Sequence, residues 1–589
     1  MTIPRPEHPQ PDRFRQDWLN LNGVWQFKMD PGASGAEQNW QSKGAAFDSE
    51  IVVPFCMESE LSGIGCKDFM PAVWCRRAFA IPAGWAGKRV LLHIGACDYR
   101  TRVYVNEKPV GAHAGGYTPI EADITPALQA GQNLLVIEAR DDLRGGLQPG
   151  GKQCQQLRSC ACSYTRTTGI WQTVWLEAVP DTYIGRFRVH TDPDNSRVLV
   201  TLAAAGAPRP ADVEVLVKQD ARVLASAKAR INGQPVAVSL DIPDPVLWHP
   251  GNPHLYDLEL KLTSTKGQDV VHSYFGLRKV HAAGRRLYLN NKPLYMRTVL
   301  DQGFYPDGIY TAPTDDALRR DIEISMAAGF NGARLHQKIF EPRFLYWADK
   351  LGYLVWGEAG NWNCDLNNPF GAANFIDEWT QALERDANHP SIIGWCPLNE
   401  TAAAQGPLPR WLHQHLYRLN KAIDPSRLAI DTSGYIHYPG VGTDLYDVHA
   451  YEMPDVLANE MAPLVRGEWG KAFKNFPVDT PYDGSVPYFI SEFGGIGWSP
   501  ADKDKDWNQD MWGYGNRPKT EAEFVERYRR TVQVLLDNPA ICGWCYTQLY
   551  DIEQEINGLY FYDRRPKFGP ETMQALRAIN AAPATYESQ

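Results

Sequence analysis

Along the first third of the chain apolar and polar residues alternate in short runs. Examples are WLNLNGVWQF (Trp18 to Phe27), WCRRAFAI (Trp74 to Ile81), KRVLLHIGACD (Lys88 to Asp98), NLLVIEARDD (Asn133 to Asp142) and GIWQTVWLEAV (Gly169 to Val179). A period of two puts one face of a strand in a core and the other in water. Gly, Pro and Asn turns separate the runs, and Asn106-Glu107-Lys108-Pro109 reads as a hairpin turn. Residues 1–182 are therefore expected to form an all-β jelly-roll-like domain. The same signal continues over 183–280, in RVLVTLAAAG, DVEVLVKQ, VAVSLDI and LYDLELKLTS. About seven short alternating strands in ~100 residues predict an immunoglobulin-like sandwich.

The period changes after Leu287. Apolar runs now alternate with amphipathic stretches, as in βαβ units. Eight strands are expected: Leu294 to Gly303, Asn331 to Gln337, Tyr353 to Glu358, Ile392 to Glu400, Leu428 to Ser433, Tyr446 to Tyr451, Tyr488 to Phe493 and Ile541 to Leu549. Helices over Asp315 to Gly329 and Glu341 to Gly352 each stop at a glycine. Eight such units predict a TIM barrel over 281–589.

Composition narrows the class. The 589 residues are 44% hydrophobic and 22% charged, with a net charge of −10, ordinary for a soluble multidomain protein. No basic block marks a nucleic-acid partner, and no run approaches the ~18 apolar residues of a membrane span. The polar, proline-rich start MTIPRPEHPQPDRFRQDW lacks an apolar signal segment, so a cytoplasmic location is expected. The 11 scattered cysteines do not suggest a disulfide framework. Cys154, Cys160 and Cys162 have the wrong spacing for a common zinc site, and Cys542 and Cys545 lie in an apolar strand, where core packing is the better reading.

Two strands carry the candidate chemistry. SIIGWCPLNE ends in Asn399-Glu400, and YFISEFGG places Glu492 near its end. A barrel builds its active site at the C-terminal ends of its strands, and paired carboxyls are what glycoside hydrolysis requires. Arg334, His449 and Tyr451 lie at the ends of other expected barrel strands. Trp356, Trp362, Trp395, Trp544 and Tyr546 are candidates for a sugar-stacking wall, with barrel core as the alternative for each. The segments Pro454 to Pro487 and Lys503 to Lys519, the latter with Trp507, Trp512 and Tyr514, are long enough to shape the leaving-group side.

Taken together, these motifs resemble glycoside hydrolase family 2 over nearly the whole chain. DYRTRVYVNEKPVGAHAGGYTP and YTRTTGIWQTVWLE look like its sugar-binding-like first domain, LWHPGNPHLYDLELKL like the end of its sandwich, and HPSIIGWCPLNE with FISEFGG like its two catalytic strands. The resemblance implies an exo-acting, retaining β-glycosidase. Glu400 would be the acid/base, Glu492 the nucleophile and Asn399 the partner of the sugar 2-hydroxyl, while Tyr451 matches the tyrosine beside the nucleophile. The anion on Glu492 would favour a proton on Glu400 until the glycosyl-enzyme ester forms. No cofactor or metal is called for.

The sugar-recognition positions depart from the family pattern. Ser163 stands where related galactosidases and glucuronidases carry a pocket aspartate. Gln302 and Gln337 stand where the galactosidases carry histidines, and Asn557-Gly558-Leu559 lacks the lysine that recognises a uronic acid. Asp301, Gln302, Arg334, His336, Gln337, Lys338, Glu358 and His449 become the candidate sugar contacts. The expected activity is hydrolysis of terminal β-galactoside-type sugars, divided evenly between a pyranoside and a furanoside such as β-D-galactofuranose or α-L-arabinofuranose. β-Mannosidase and β-glucuronidase come behind, then a transglycosidase or a non-catalytic carbohydrate-binding protein. The partner is a carbohydrate, and a homo-oligomer is compatible with the chain.

Overall fold

A computed structural model describes residues 3–401, 407–476, 479–500 and 511–588. The first domain packs a six-stranded antiparallel sheet (Ser49–Val53, Gly23–Met29, Ala72–Ala80, Gln132–Arg140, Arg100–Val105 and Lys108–Ala114, in that order) against a four-stranded one. Inward residues such as Trp25, Phe27, Val103, Leu135 and Leu176 fill the space between the sheets. Asn106 and Glu107 both adopt positive φ, the geometry of a tight hairpin turn whose twist matches its strands. The second domain is a sandwich of three and four strands around Val198, Val200, Val215, Leu258 and Leu260.

The third domain holds an eight-stranded parallel sheet. Its strands are β1 (Met296–Asp301), β2 (Gly332–Leu335), β3 (Leu354–Glu358), β4 (Ile392–Cys396), β5 (Leu428–Ala429), β6 (Tyr446–Ala450), β7 (Tyr488–Gly494) and β8 (Ile541–Thr547). Their order, 5-4-3-2-1-8-7-6, is the cyclic order of a TIM barrel, with its seam between β5 and β6. The helices are α1 (Asp315–Ala327), α2 (Pro342–Leu351), α3 (Pro369–Asp386), α4 (Arg410–Ile423), α5 (Pro454–Val465), α6 (Glu521–Leu536) and α7 (Pro570–Asn580). Local sequence sets their ends. The Thr314 hydroxyl accepts from the amide of Ala317 ahead of Asp315 and Asp316, so α1 begins with a side-chain cap and acidic first turn. Gly352 takes the left-handed conformation that stops α2. The segment between β6 and β7, expected as a loop insertion, begins with helix α5. Trp507 lies outside the described residues. Among the described residues no helix is long and apolar enough to cross a membrane.

The first domain sits directly on the barrel. The Tyr117 amide donates to Glu378 of α3 (2.7 Å), and Arg385 of α3 donates to the Tyr117 carbonyl (3.1 Å). The Thr311 hydroxyl donates to the Trp171 carbonyl (2.6 Å). Tyr117, Tyr164 and Trp171 of the first domain belong to the same apolar core as the barrel.

Candidate active site

Two predicted strands end four residues earlier than expected. β4 stops at Cys396, so Glu400 lies four residues beyond it, tied to the β5 side by an isolated bridge between Asn399 and Ser433. Glu400 has φ of +48°, the left-handed region that costs a non-glycine residue energy and recurs at functional sites. β5 covers only two residues. Glu492 is inside β7, with its side chain toward the barrel interior.

His449 joins the two glutamates. Its Nδ1 is 2.8 Å from Glu400 Oε1 and its Nε2 is 3.5 Å from Glu492 Oε1 and 3.0 Å from the Ser433 hydroxyl. Donor atoms of Glu400, His449 and Glu492 all lie within 4.8 Å of one another. Such a trio could hold a metal ion, yet its donors are already committed to each other, Arg334 and Tyr451. Arg334 Nη1 donates to Glu492 Oε1 (2.8 Å), and the Tyr451 hydroxyl donates to Glu492 Oε2. Burial alone would push Glu492 up. His449, Arg334 and His336 and the Tyr451 hydrogen bond outweigh it and hold Glu492 well below the usual carboxylate range. Burial opposes a charge on His449 too, but the two carboxylates raise its pKa.

Arg334, 1% exposed, orders this set. It grips Glu358 with Nε (2.5 Å) and Nη2 (3.2 Å) and donates to Asn399 Oδ1 (2.6 Å). A planar guanidinium meets three acceptors at fixed angles where an ammonium could not. Glu358 stays ionised: burial raises it, but Arg334 and His336 bring it down to about 2. Asn399 takes a second bond from its own amide to Asn361 Oδ1 (2.9 Å). Its Nδ2 is buried and has no partner among the described residues, so it remains free to donate to a ligand.

The rim comes from the first domain. Loop 148–164 is stitched to the loop after β3: the amides of Gly150 and Gly151 donate to the Trp362 carbonyl (3.0 and 3.1 Å). This loop carries the Lys152 ammonium to 3.9 Å from the centre of the Trp362 ring, and the Trp362 indole donates to the Asn399 carbonyl (3.3 Å). The Tyr164 hydroxyl donates to Glu555 and accepts from Gln302 Nε2 (2.8 Å). Gln302 also reaches Gln548, which donates to Asn557 Oδ1, and Asn557 donates to Glu555 Oε1 (2.8 Å). Tyr514 stacks on Tyr451 at 3.7 Å.

These residues lie within three matched family models. The sugar binding domain of glycosyl hydrolases family 2 matches residues 19–177, a second family 2 domain matches 182–278, and the family 2 TIM barrel domain matches 280–577. The chain belongs to glycosyl hydrolase family 2. It is similar to a β-glucuronidase of Paenibacillus borealis, 25% identical over 444 residues, covering 71% of this chain and 73% of that one. It is also similar to a β-galactosidase of Thermoanaerobacter pseudethanolicus, 25% identical over 404 residues, covering 65% and 50% respectively. The solved structure of a Ruminococcus gnavus β-glucuronidase in complex with D-glucuronic acid shares the fold, with a TM-score of 0.78 at 18% identity over 98% of this chain and 100% of that one.

Several expected sugar contacts of this family 2 chain are placed elsewhere. Trp544 and Tyr546 are completely buried. On β8 they alternate with Thr547, whose hydroxyl meets Tyr451, so they face the opposite way. Trp544 packs on Phe330 and Phe493, and Tyr546 on Phe493 and on Tyr528 of α6. Trp356 and Trp395 are core as well, with indoles bonded to Met296 and Asp424. Asp301 is held by the Tyr550 hydroxyl and the Gly303 amide, and burial and Asp321 raise it to about 6. Lys338 donates to the carbonyls of Gly303 and Tyr310 inside the domain junction, where burial lowers it to about 7. Gln337 spends both ends of its amide on Asn361 and the Trp362 amide. Glu358 and His336 sit behind Arg334, with His336 Nδ1 3.0 Å from Glu358 and 3.8 Å from Glu492. Ser163 turns its carbonyl to Gln554.

Lys152, Tyr164, Gln548 and Glu555 were not anticipated. The only available signal was for Glu555, an acid shortly after the eighth strand in DIEQEING.

Proposed function

We propose that this chain is an exo-acting, retaining glycosidase that removes terminal neutral sugars of the β-galactoside type. The observation that carries the reading is the closeness of Glu400 and Glu492, whose nearest oxygens are within 4.8 Å. Retaining enzymes hold their carboxyls about 5–5.5 Å apart, and inverting ones about 6.5–9.5 Å to admit a water.

In this mechanism the Glu492 carboxylate attacks the anomeric carbon as Glu400 gives its proton to the glycosidic oxygen. The carbon–oxygen bond breaks, the aglycone departs as an alcohol, and a glycosyl ester on Glu492 remains. Glu400, now ionised, takes a proton from water, whose oxygen attacks the same carbon and frees Glu492. Tyr451 and Arg334 fix the attacking carboxylate, and Asn399 Nδ2 is placed to donate to a sugar hydroxyl. Preset donors that need not reorganise are the largest source of rate in such a site.

Charge supports a neutral glycone. Glu400, Glu492 and Glu555 converge on the pocket, while Arg334 is already paired with Glu358 and Glu492. A uronate would bring another anion beside Glu555. The uronide reading has one observation in its favour, the Lys152 ammonium, together with the similar β-glucuronidases. The deciding experiment compares kcat/KM on 4-nitrophenyl β-D-galactopyranoside, α-L-arabinofuranoside and β-D-glucuronide. Preference for either neutral glycoside upholds the proposal and sets the ring form. A dominant glucuronide rate overturns it.

The catalytic roles have their own test. Glu492→Ala should lose activity by about a thousandfold or more and regain part of it with azide, giving an inverted glycosyl azide. For Glu400→Ala, kcat/KM should stay within about tenfold on 2,4-dinitrophenyl glycosides yet fall about a thousandfold on poorly activated ones. Equal loss on both substrate types refutes Glu400 as the acid.

A further inference from the structure

Lys152 is a buried cation with too little to hold it. The residue is 6% exposed, and its ammonium joins no ion pair among the described residues. Its contacts are the Trp362 ring at 3.9 Å and the neighbouring Cys162 thiol. A cation–π contact returns less than burying an ammonium costs. The difference comes from the field of the pocket. Burial works against the charge, but Cys162, Glu555, Glu400 and Glu492 outweigh it and keep Lys152 above the ordinary lysine range. An ammonium has three N–H donors, and the ring face does not consume them.

Acceptors lie in the same region, Glu555 near enough to raise the Lys152 pKa and Gln302 tied to Glu555 through Tyr164. Glu555 is locked by Tyr164 and Asn557, which use two of the roughly four acceptor sites of a carboxylate. Gln302 Oε1 is buried and has no partner among the described residues, although its Nε2 is bound twice. The backbone ties the groups together: the Tyr164 amide donates to the Lys152 carbonyl (2.8 Å), so one short ladder positions the lysine and the tyrosine that holds Glu555.

We propose that Lys152, delivered by the first domain, selects the glycone: with Glu555 and Gln302 Oε1 it grips hydroxyls of a neutral sugar seated against Glu492. This rests on the assignment of the catalytic pair and a neutral substrate above. A hydroxyl between an ammonium and a carboxylate accepts from one and donates to the other, and so satisfies both without adding charge. A sugar lacking that hydroxyl leaves buried charges unpaired, a loss that sites of this kind turn into discrimination of about 10⁴-fold.

The test uses the full-length enzyme, Lys152→Met and Glu555→Gln on whichever of 4-nitrophenyl β-D-galactopyranoside and α-L-arabinofuranoside the wild type cleaves faster, and on its monodeoxy analogues. Methionine keeps an unbranched stem over Trp362. In wild type, removal of one particular hydroxyl should lower kcat/KM at least about 100-fold. Lys152→Met should show a comparable drop on the parent glycoside, no further drop on that analogue, and an unchanged pH-profile shape. Glu555→Gln should reduce the same discrimination. If Lys152→Met folds poorly, as judged by its melting temperature, the wild-type deoxy series still decides, since no discriminating hydroxyl means no grip. Retention of the full discrimination by Lys152→Met overturns the proposal while leaving the neutral-sugar reading intact. Faster wild-type cleavage of the β-D-glucuronide, lost in Lys152→Met, instead makes the lysine a carboxylate anchor and overturns both.

Discussion

Glu492 is stabilised as an anion by several neighbours, and each source can be removed separately. Tyr451→Phe deletes one donor and leaves the ring stacked on Tyr514. The carboxylate then holds its proton more tightly, so the acid limb of kcat/KM should move to higher pH. A pH–rate profile with an unmoved acid limb would mean that the Tyr451 bond does not stabilise the ionised form. Arg334→Lys keeps the charge but loses the fork that meets Glu358, Glu492 and Asn399 together, and kcat/KM should fall about 100-fold or more. At this scale the sequence is informative where chemistry coincides with strand position. Glu400, Glu492, Asn399, Arg334, His449 and Tyr451 fall together because they lie at or just past the C-terminal ends of β2, β4, β6 and β7, which open on the same mouth of the barrel. Trp544 and Tyr546 fall outside because alternation on β8 turns them away, and the facing of a buried parallel strand cannot be read when both faces are apolar. Lys152 has no local signature at all. Its meaning comes from its contact with Trp362, supplied by a different domain.

Among the elements, loop 148–164 has the narrowest tolerances. Gly151 has φ of +55°, and a methyl added there would lie 2.1 Å from the Gln337 carbonyl oxygen. Gly151→Ala must therefore shift the loop that carries Lys152. KM for the preferred glycoside should rise at least about tenfold while the melting temperature falls by only a few degrees, because the barrel core is untouched. Kinetics beside a thermal melt would check this, and an unchanged KM would show that the loop position is not needed for binding. The eight strands themselves were legible, each as an apolar run bounded by turn residues. Their ends were not. Where β4 stops depends on what pairs with it, and past Cys396 its neighbour β5 offers only the single bridge between Asn399 and Ser433. Glu400 therefore stands on a turn, with a backbone conformation that no pattern of apolar residues encodes.

For the whole molecule, buried carboxyls at the junction between the first domain and the barrel, and within the first domain, make stability depend on pH. Burial pushes the carboxyl of Glu378, which accepts from the Tyr117 amide, up to about 8, and Glu58, below Thr168, likewise to about 8. Both bind protons more tightly folded than unfolded. Their contribution is whole below the unfolded value near 4.5 and is lost as pH rises toward 8. Glu378→Gln can still accept from Tyr117 and should melt at a temperature less dependent on pH between 5 and 8. Part of the slope should remain because Glu58 still titrates. Identical slopes for variant and wild type in calorimetry would show that Glu378 is not protonated in the folded protein. The start of the barrel was legible because the apolar period changes from two to a strand-helix rhythm near Leu287, while the first two domains share one period. The junction was not, since both its polar contacts and the aromatic residues it adds to the barrel core join segments remote in sequence.

β8 pairs with β1 on one side and β7 on the other, and the residues just after it, Gln548 to Asn557, finish the pocket. A ribosome thus releases Glu400 and Glu492 well before the strand that locks the ring around them. Chains interrupted before β8 carry the reacting groups without the Gln548 to Asn557 segment, so hydrolysis would report that translation has passed that strand.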